Sequence, residues 1–370
     1  MTKNSMESAD QRYWLVFTGS YAASEEQGIN VLLFDSETGK LRQHGGTCGV
    51  TNPSFLAFDE KRYILYAVSE NEDGEVVAIH VNRETGAMEL MNRQSTKGAA
   101  ACHLSLDPSG NWLYAVNYEG GNVCVFPIGQ DGAIMPMTDT VQHEGASIHP
   151  DRQTKPHPHS VISDPSGDYR IVPDLGTDRV VIYTNDLGTG AFQHAGELVS
   201  APGAGPRHAC FHRELPLIYV LEELSSTVTV FSFNKDEESG QVTGEQLQTI
   251  PMLPLSFDKE STAADIHFSV DGKYLYASNR GHDSLAVYEL EEDGRLKPVG
   301  HISTGGMTPR NFAVAPGGRY VLAANQDTDS IVVLRLDHQG LAVPAGPPYK
   351  TAKPVCIVMT PAPESIVTGL

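Results

Sequence analysis

Three stretches of this sequence are copies of one pattern: LSLDPSGNWLYAVNYEGGNVCVFPI, IHFSVDGKYLYASNRGHDSLAVYEL and FAVAPGGRYVLAANQDTDSIVVLRL. Each holds an apolar run, a turn with Gly, a second apolar run ending in Asn, a polar turn and an alternating apolar run. Weaker copies are LAFDEKRYILYAVSENEDGEVVAIHV, VISDPSGDYRIVPDLGTDRVVIYTN and ACFHRELPLIYVLEELSSTVTVFSF. The ends of the second runs fall on Ser69, Asn117, Asp174, Glu222, Asn279 and Asn325, at intervals of 48, 57, 48, 57 and 46 residues. A seventh copy starts at YWLVFTGSY, where Ser20 lies 49 residues before Ser69; its missing first run is at the far end, in KPVCIVMT.

Each copy carries four short β-branched and aromatic runs divided by turns such as ETGK, DPSG and EDG, the pattern of a four-stranded antiparallel meander. Four strands at this period make a propeller blade, and seven blades in a ring bury faces that one blade cannot bury alone. The predicted fold is therefore all-β: a seven-bladed β-propeller with four antiparallel strands per blade and one blade closed by both termini. Two stacked sandwiches would not give the uniform period or the terminal split. The whole of 1–370 is expected to form one domain, with 1–12 a flexible N-terminal tail and 361–370 a C-terminal tail. The long intervals are assigned to insertions, HEGASIHPDRQTKPHPH and MLPLSFDKESTAAD, which in repeat folds lie on one face, often the binding face.

Acidic residues outnumber basic ones 46 to 26, a formal charge of -20 that opposes binding to nucleic acid or anionic lipid. The five cysteines are odd in number, widely spaced and free of CxxC, as expected of reduced thiols rather than a disulfide framework or zinc site. No apolar signal core or long apolar span occurs, and the cytoplasm is the expected compartment. The sequence leaves the oligomeric state open.

The alignment of repeats maps a site. In a blade the inner strand begins at one rim of the channel and its partner returns there. The starts of the inner strands give Ser54, Cys102, His159, Arg207, Ala264, Arg310 and Val355; the residues just past the second strands give Tyr21, Glu70, Tyr118, Leu175, Glu223, Arg280 and Gln326. Three arginines, a histidine and two glutamates thus converge on one mouth, with His208 alternating away from it. Such convergence of ionisable groups is typical of sites, although an inter-blade ion pair, Arg207 with Glu223, would give the same pattern. His157 and His159 share one face of an extended strand but lack a carboxylate or cysteine partner for zinc, so no metal and no cofactor are expected. Nucleophile-elbow, zincin, P-loop and dinucleotide fingerprints are absent.

The motifs KPHPHS, VPDLGTDRV, GAGPRHACFH, STAADIHFSVDGKYLYASNRGHDS and TPRNFAVAPGGRYVLAANQDTDSIVV together resemble the seven-bladed propeller lactonase family, which contains propeller-type 6-phosphogluconolactonases and the fungal carboxy-cis,cis-muconate cyclases. The resemblance runs from about Phe17 to Thr360. It implies a metal-independent lactonase of carbohydrate metabolism, acting in the pentose phosphate pathway on an anionic lactone such as 6-phospho-D-glucono-1,5-lactone; the alternatives are a muconate-type cycloisomerase and a non-catalytic binding module. By motif, the family's functional His, Arg, Glu and Arg fall on His159, Arg207, Glu223 and Arg280, expected as catalytic. His157, Arg310, Glu70, Asn117, Asp174 and Gln326 are expected to bind substrate. Three departures stand out: Glu222 where Asn is usual, which could share a proton with Glu223; FHRELPLIY without a Pro-Asn-Gly turn; and Arg170 at an apolar position.

Overall fold

The second strand of each blade is buried along nearly its whole length, as in Leu217–Glu222, whereas the outermost strand, as in Gln246–Pro251, is mostly exposed. That gradient follows from stacking sheets around an axis: near the axis both faces meet a neighbour, so the sequence there is continuously apolar instead of alternating. The computed structural model describes residues 11–186 and 188–368. It contains seven sheets, six ordered in sequence from the inner strand outward and one assembled from both ends of the chain. The inner strands of the six are Leu56–Asp59, Ala101–Leu106, Ile162–Ser163, Pro206–Phe211, Thr262–Phe268 and Pro309–Val314. In the seventh, the C-terminal strand Pro354–Pro361 takes the inner place and pairs antiparallel with Tyr13–Ser20, from Trp14 opposite Pro361 to Ser20 opposite Pro354.

Seven apolar clusters fill the seven inter-blade interfaces. The stretch expected as a C-terminal tail is partly built into one of them: Ala362 donates its N–H to Tyr13 O, and Ile366, in the short helix Glu364–Thr368, packs beside Leu15 and Val81. Residues 1–10 of the expected N-terminal tail lie outside the described residues. One insertion is corrected. Part of the interval between Glu222 and Asn279 is a hairpin, Asn234–Lys235 with Val242–Thr243, that adds to the outer edge of the preceding blade through Val242 beside Gly196. It joins the third and fourth strands of its blade, at the end away from the mapped mouth.

The turn residues have visible work. Asp107 accepts the N–H groups of Ser109, Asn111 and Trp112, closing the DPSG turn with Gly110 at φ 73°. In FHRELPLIY the imidazole of His212 replaces that carboxylate, its Nδ1 accepting from Glu214 and Leu215 N–H. Arg170 lies fully buried over the Tyr114 ring, 4.5 Å from its centroid, and donates to Gly167 O and Tyr169 O.

A ring of side chains closes the innermost layer. Leu56 N–H donates to Cys356 Sγ at 3.3 Å; Phe55 stacks on His103 at 4.0 Å; Val161 N–H donates to His103 Nδ1 at 3.3 Å. Ser160 Oγ donates to Arg207 O at 2.8 Å, His208 Nδ1 meets Asp265 Oδ1 at 2.9 Å, Asn311 Nδ2 donates to Asp265 Oδ2 at 2.6 Å, and Ile357 N–H donates to Asn311 Oδ1 at 2.8 Å. Each blade is thereby joined to the next through the residue that follows the mouth position. Asp265 holds the most partners in this ring, and its removal leaves the buried His208 imidazole and Asn311 Nδ2 without their carboxylate and takes from the more exposed His267 its ion-pair partner. Asp265→Ala should lower unfolding free energy by about 3–5 kcal/mol in urea titration; a change under about 1 kcal/mol would contradict the ring's structural role.

Candidate active site

The stretch before the fifth blade, SAPGAGPRHACF, delivers Arg207 to the channel because its backbone is pinned from outside. Asp178, almost fully buried, accepts the N–H groups of Gly203 and Gly205, both at 2.7 Å, and also holds Gln153 and Ser147 of the first insertion. Gly205, at φ 72°, sits where a Cβ would strike Leu224 at 2.6 Å. Asp178 has repeat equivalents in Asp283 and Asp329, each four residues past its second-strand landmark and at positive φ, which accept the N–H groups of Thr308 and Lys353 in the same way; the mapped columns did not include this position.

The mouth is a cavity of about 510 Å³ lined by both mapped columns and by the first insertion. At its base Glu223 is shared by three guanidinium groups. Oε2 accepts Arg207 Nη1 at 2.7 Å and pairs with Arg280 Nη2 at 2.9 Å, while Oε1 accepts Arg152 Nη2 at 2.7 Å. Arg207 Nη1 also meets His159 Nε2, and Arg207 Nε donates to Ala264 O at 2.6 Å. Below this cluster the channel narrows to a neck of about 10 Å³ bordered by Cys102, His159, Arg207 and Arg310. The four expected catalytic residues thus stand together, and the Arg207–Glu223 ion pair between columns is also present.

Burial opposes ionisation of Glu223, yet Arg280, Arg207 and Arg152 together hold its carboxyl well below the usual range. Burial, reinforced by the Arg207 charge, holds His159 well below the ordinary imidazole value, so its ring is neutral at pH 7. Desolvation lowers Arg280 to about 10, still charged. The Cys102 thiol, 3.9 Å from His159 Nδ1, is pushed far up by burial and stays protonated.

The expected substrate-binding residues divide. His157, Glu70 and Arg310 line the cavity. His157 stacks on Tyr118 at 4.3 Å; Glu70 accepts from Tyr21 Oη and from Ser54 Oγ; Arg310 lies over the Tyr21 ring at 5.3 Å and forms no salt bridge among the described residues. Asn117, Asp174 and Gln326 are absent from the lining. Asn117 donates to Thr96 O, just as Asn279 and Asn325 donate to Met252 O and Thr304 O; Asp174 binds His143, His157 N–H and Gly176 N–H. In six of the seven blades the residue ending the second strand therefore braces the crossover from the preceding blade, the exception being Ser20, which donates to Gly28 O of its own blade. Gln326 turns to Asp327 in a 3-10 turn. Arg152 and Tyr118 were missed as site residues: Tyr118 stood in the mapped column, and Arg152 lay inside the insertion assigned to the binding face.

The same bracing position explains Glu222. It accepts from Ser200 Oγ at 2.7 Å, on the crossover. No shared proton with Glu223 is seen: the two side chains leave opposite faces of the strand, and burial, with a smaller push from the Asp178 charge, lifts the Glu222 carboxyl to about 8. Among the described residues no group of three or more His, Cys, Asp or Glu side chains is placed to hold a metal ion, and no helix is long and apolar enough to cross a membrane. A second cavity, also about 510 Å³, opens at the other end of the channel. Its ionisable floor, His208, Asp265 and His267, is committed to the ring between blades and lacks a cluster of free cations.

Residues 15–359 match the family described as Lactonase, 7-bladed beta-propeller. The chain is 33% identical over 306 residues to a 6-phosphogluconolactonase of Bacillus subtilis, spanning 82% of this chain and 85% of that protein. It is 31% identical over 312 residues to a 6-phosphogluconolactonase of Formosa agariphila, spanning 81% and 86%. Among solved structures, the periplasmic gluconolactonase PpgL of Pseudomonas aeruginosa superposes with a TM-score of 0.87 at 30% identity, covering 95% of this chain and all of that one, 100%.

The Glu222 carboxyl gives a stability signature. Its pKa rises on folding from 4.5 to about 8, so the folded state keeps a proton that the unfolded chain releases, and stability contributed by the neutral carboxyl is lost as pH climbs through that window. Glu222→Gln should match the wild type in urea unfolding at pH 5 and exceed it at pH 8; parallel curves at both values would contradict the assignment.

Proposed function

The chain belongs to the seven-bladed β-propeller lactonase family, and from that premise we propose that it hydrolyses 6-phospho-D-glucono-1,5-lactone to 6-phosphogluconate without a metal. The observation carrying this reading is the clustering of Arg207, Arg280 and Arg152 around one ionised, buried carboxylate, with Arg310 in the same cavity, in a protein that is otherwise strongly acidic. Guanidinium groups suit the substrate twice over, since their planar forks match phosphate and also stabilise an oxyanion.

Hydrolysis needs a base for water and positive charge where the carbonyl oxygen becomes anionic. His159 Nε2 is occupied by Arg207, so it serves to hold that guanidinium while adding no charge. Glu223 is the base, through Oε1, because Oε2 is tied to Arg207 and Arg280. Water attacks the lactone carbonyl carbon as Glu223 takes one of its protons. Arg207 meets the oxyanion. Collapse of the tetrahedral adduct breaks the bond to the ring oxygen, which receives the proton from Glu223 and leaves as a hydroxyl. Arg310, without a carboxylate partner, holds the phosphate, with Arg280 beside it.

Arg207→Ala should reduce kcat on freshly generated 6-phosphogluconolactone by about 10²- to 10³-fold, measured above the spontaneous rate with a chelator present. Full turnover by a variant whose melting temperature is unchanged would overturn the assignment.

A further inference from the structure

Of the three guanidinium groups on Glu223, two are locked and one is not. Arg207 and Arg280 arise from strands, are further tied to Ala264 O and Ala263 O, and expose only 3% and 14% of their side chains. Arg152 comes from the inserted loop, has 39% of its side chain exposed, and has one other side-chain partner among the described residues, Tyr118 Oη at 3.0 Å. Its backbone, by contrast, is anchored. The next residue, Gln153, is fully buried, donates to Leu175 O and Asp178 Oδ1, and accepts from His149 N–H. The side chain of Arg152 can therefore leave Glu223 by bond rotation while the loop stays in place.

The oxygens are divided to match. Arg207 and Arg280 hold Oε2, and Arg152 alone covers Oε1. We propose that Arg152 is a charge-sensing gate: it caps the base until the anionic substituent of the lactone draws it off, so that a charged lactone uncovers Glu223 and a neutral one does not. This rests on the reading of the mouth as a lactone-hydrolysing site. The exchange is favourable because a dianionic phosphate held at Arg310 offers a second guanidinium an equally strong, charge-assisted partner, whereas a hydroxyl cannot replace a carboxylate. Departure of Arg152 also removes one of the charges that depress the Glu223 carboxyl, so recognition of the anion makes the base stronger at the moment it is exposed. The other groups facing Glu223, namely Arg207, Arg280 and His159, stay in place.

The test compares kcat/KM for 6-phosphogluconolactone and for neutral glucono-1,5-lactone in the wild type, Arg152→Gln, Arg152→Lys and Arg310→Gln, with melting temperatures recorded. Arg152→Gln should lower the phosphorylated value about 10- to 100-fold, raise the neutral value because Oε1 is permanently open, and move the acid limb of the kcat/KM profile to higher pH; Arg152→Lys should partly restore discrimination. Arg310→Gln should lower the phosphorylated value without raising the neutral one. Equal losses on both lactones in a folded Arg152→Gln protein, or an unmoved acid limb, would overturn the gate while leaving the lactonase reading intact. A wild type that accelerates neither lactone would overturn both.

Discussion

Seven sheets stacked around an axis must be held at a constant angle to their neighbours, and here that constraint is met at the innermost strands. Apolar clusters glue each interface, but apolar contact is non-directional. Direction comes from the ring running through Cys356, Phe55, His103, Ser160, His208, Asp265 and Asn311. Fixing these seven residues also fixes the residue before each of them, and Arg207 and Arg310 sit at register shifts of their inner strands, irregularities that re-aim a side chain. Those preceding residues include His159, Arg207 and Arg310. The site is precise because it is the reverse side of the joint that closes the propeller, and the terminal strand pairing keeps that joint from opening.

Electrostatics then set the chemistry. Four arginines and Lys155 against Glu70, Glu119, Asp151 and Glu223 give the lining of one cavity a small positive excess in a protein whose formal charge is -20. Leaving a buried charge unpaired costs several kcal/mol, so the cations need Glu223 when no substrate is present. The same carboxylate is the group best placed to take a proton from water. One side chain thus neutralises the empty site and acts in the filled one. Its two oxygens are assigned to different guanidinium partners, which lets the two duties be separated.

Much of this was legible in the sequence because the repeat period is long and its register is shared. Aligning the copies put His159, Arg207, Glu223 and Arg280 at one mouth before any coordinates, and the split blade followed from YWLVFTGSY and KPVCIVMT. The mapped column held Tyr118 and Leu175, and the expectation that the landmark residues Asn117 and Asp174 also bind substrate went one position too far back along the strand: their polar character reflects bracing of the crossover from the preceding blade. Glu222 follows the same rule, which is why it does not couple to Glu223. Arg152 lay outside the repeat register, whereas Asp178 shares its turn position with Asp283 and Asp329 but lay outside the mapped columns. One arrives on an insertion, the other in a turn, and only their placement in space reveals that Asp178 ties that insertion to the segment carrying Arg207.

The central claim is that a single mouth of the ring receives the anionic sugar acid, and a crystal structure with 6-phosphogluconate tests it most directly. The product carboxylate is expected against Arg207 and its phosphate against Arg310, with Arg280 beside it. Product seated in the opposite cavity beside His267 and Arg213, with the arginine mouth empty, would contradict it.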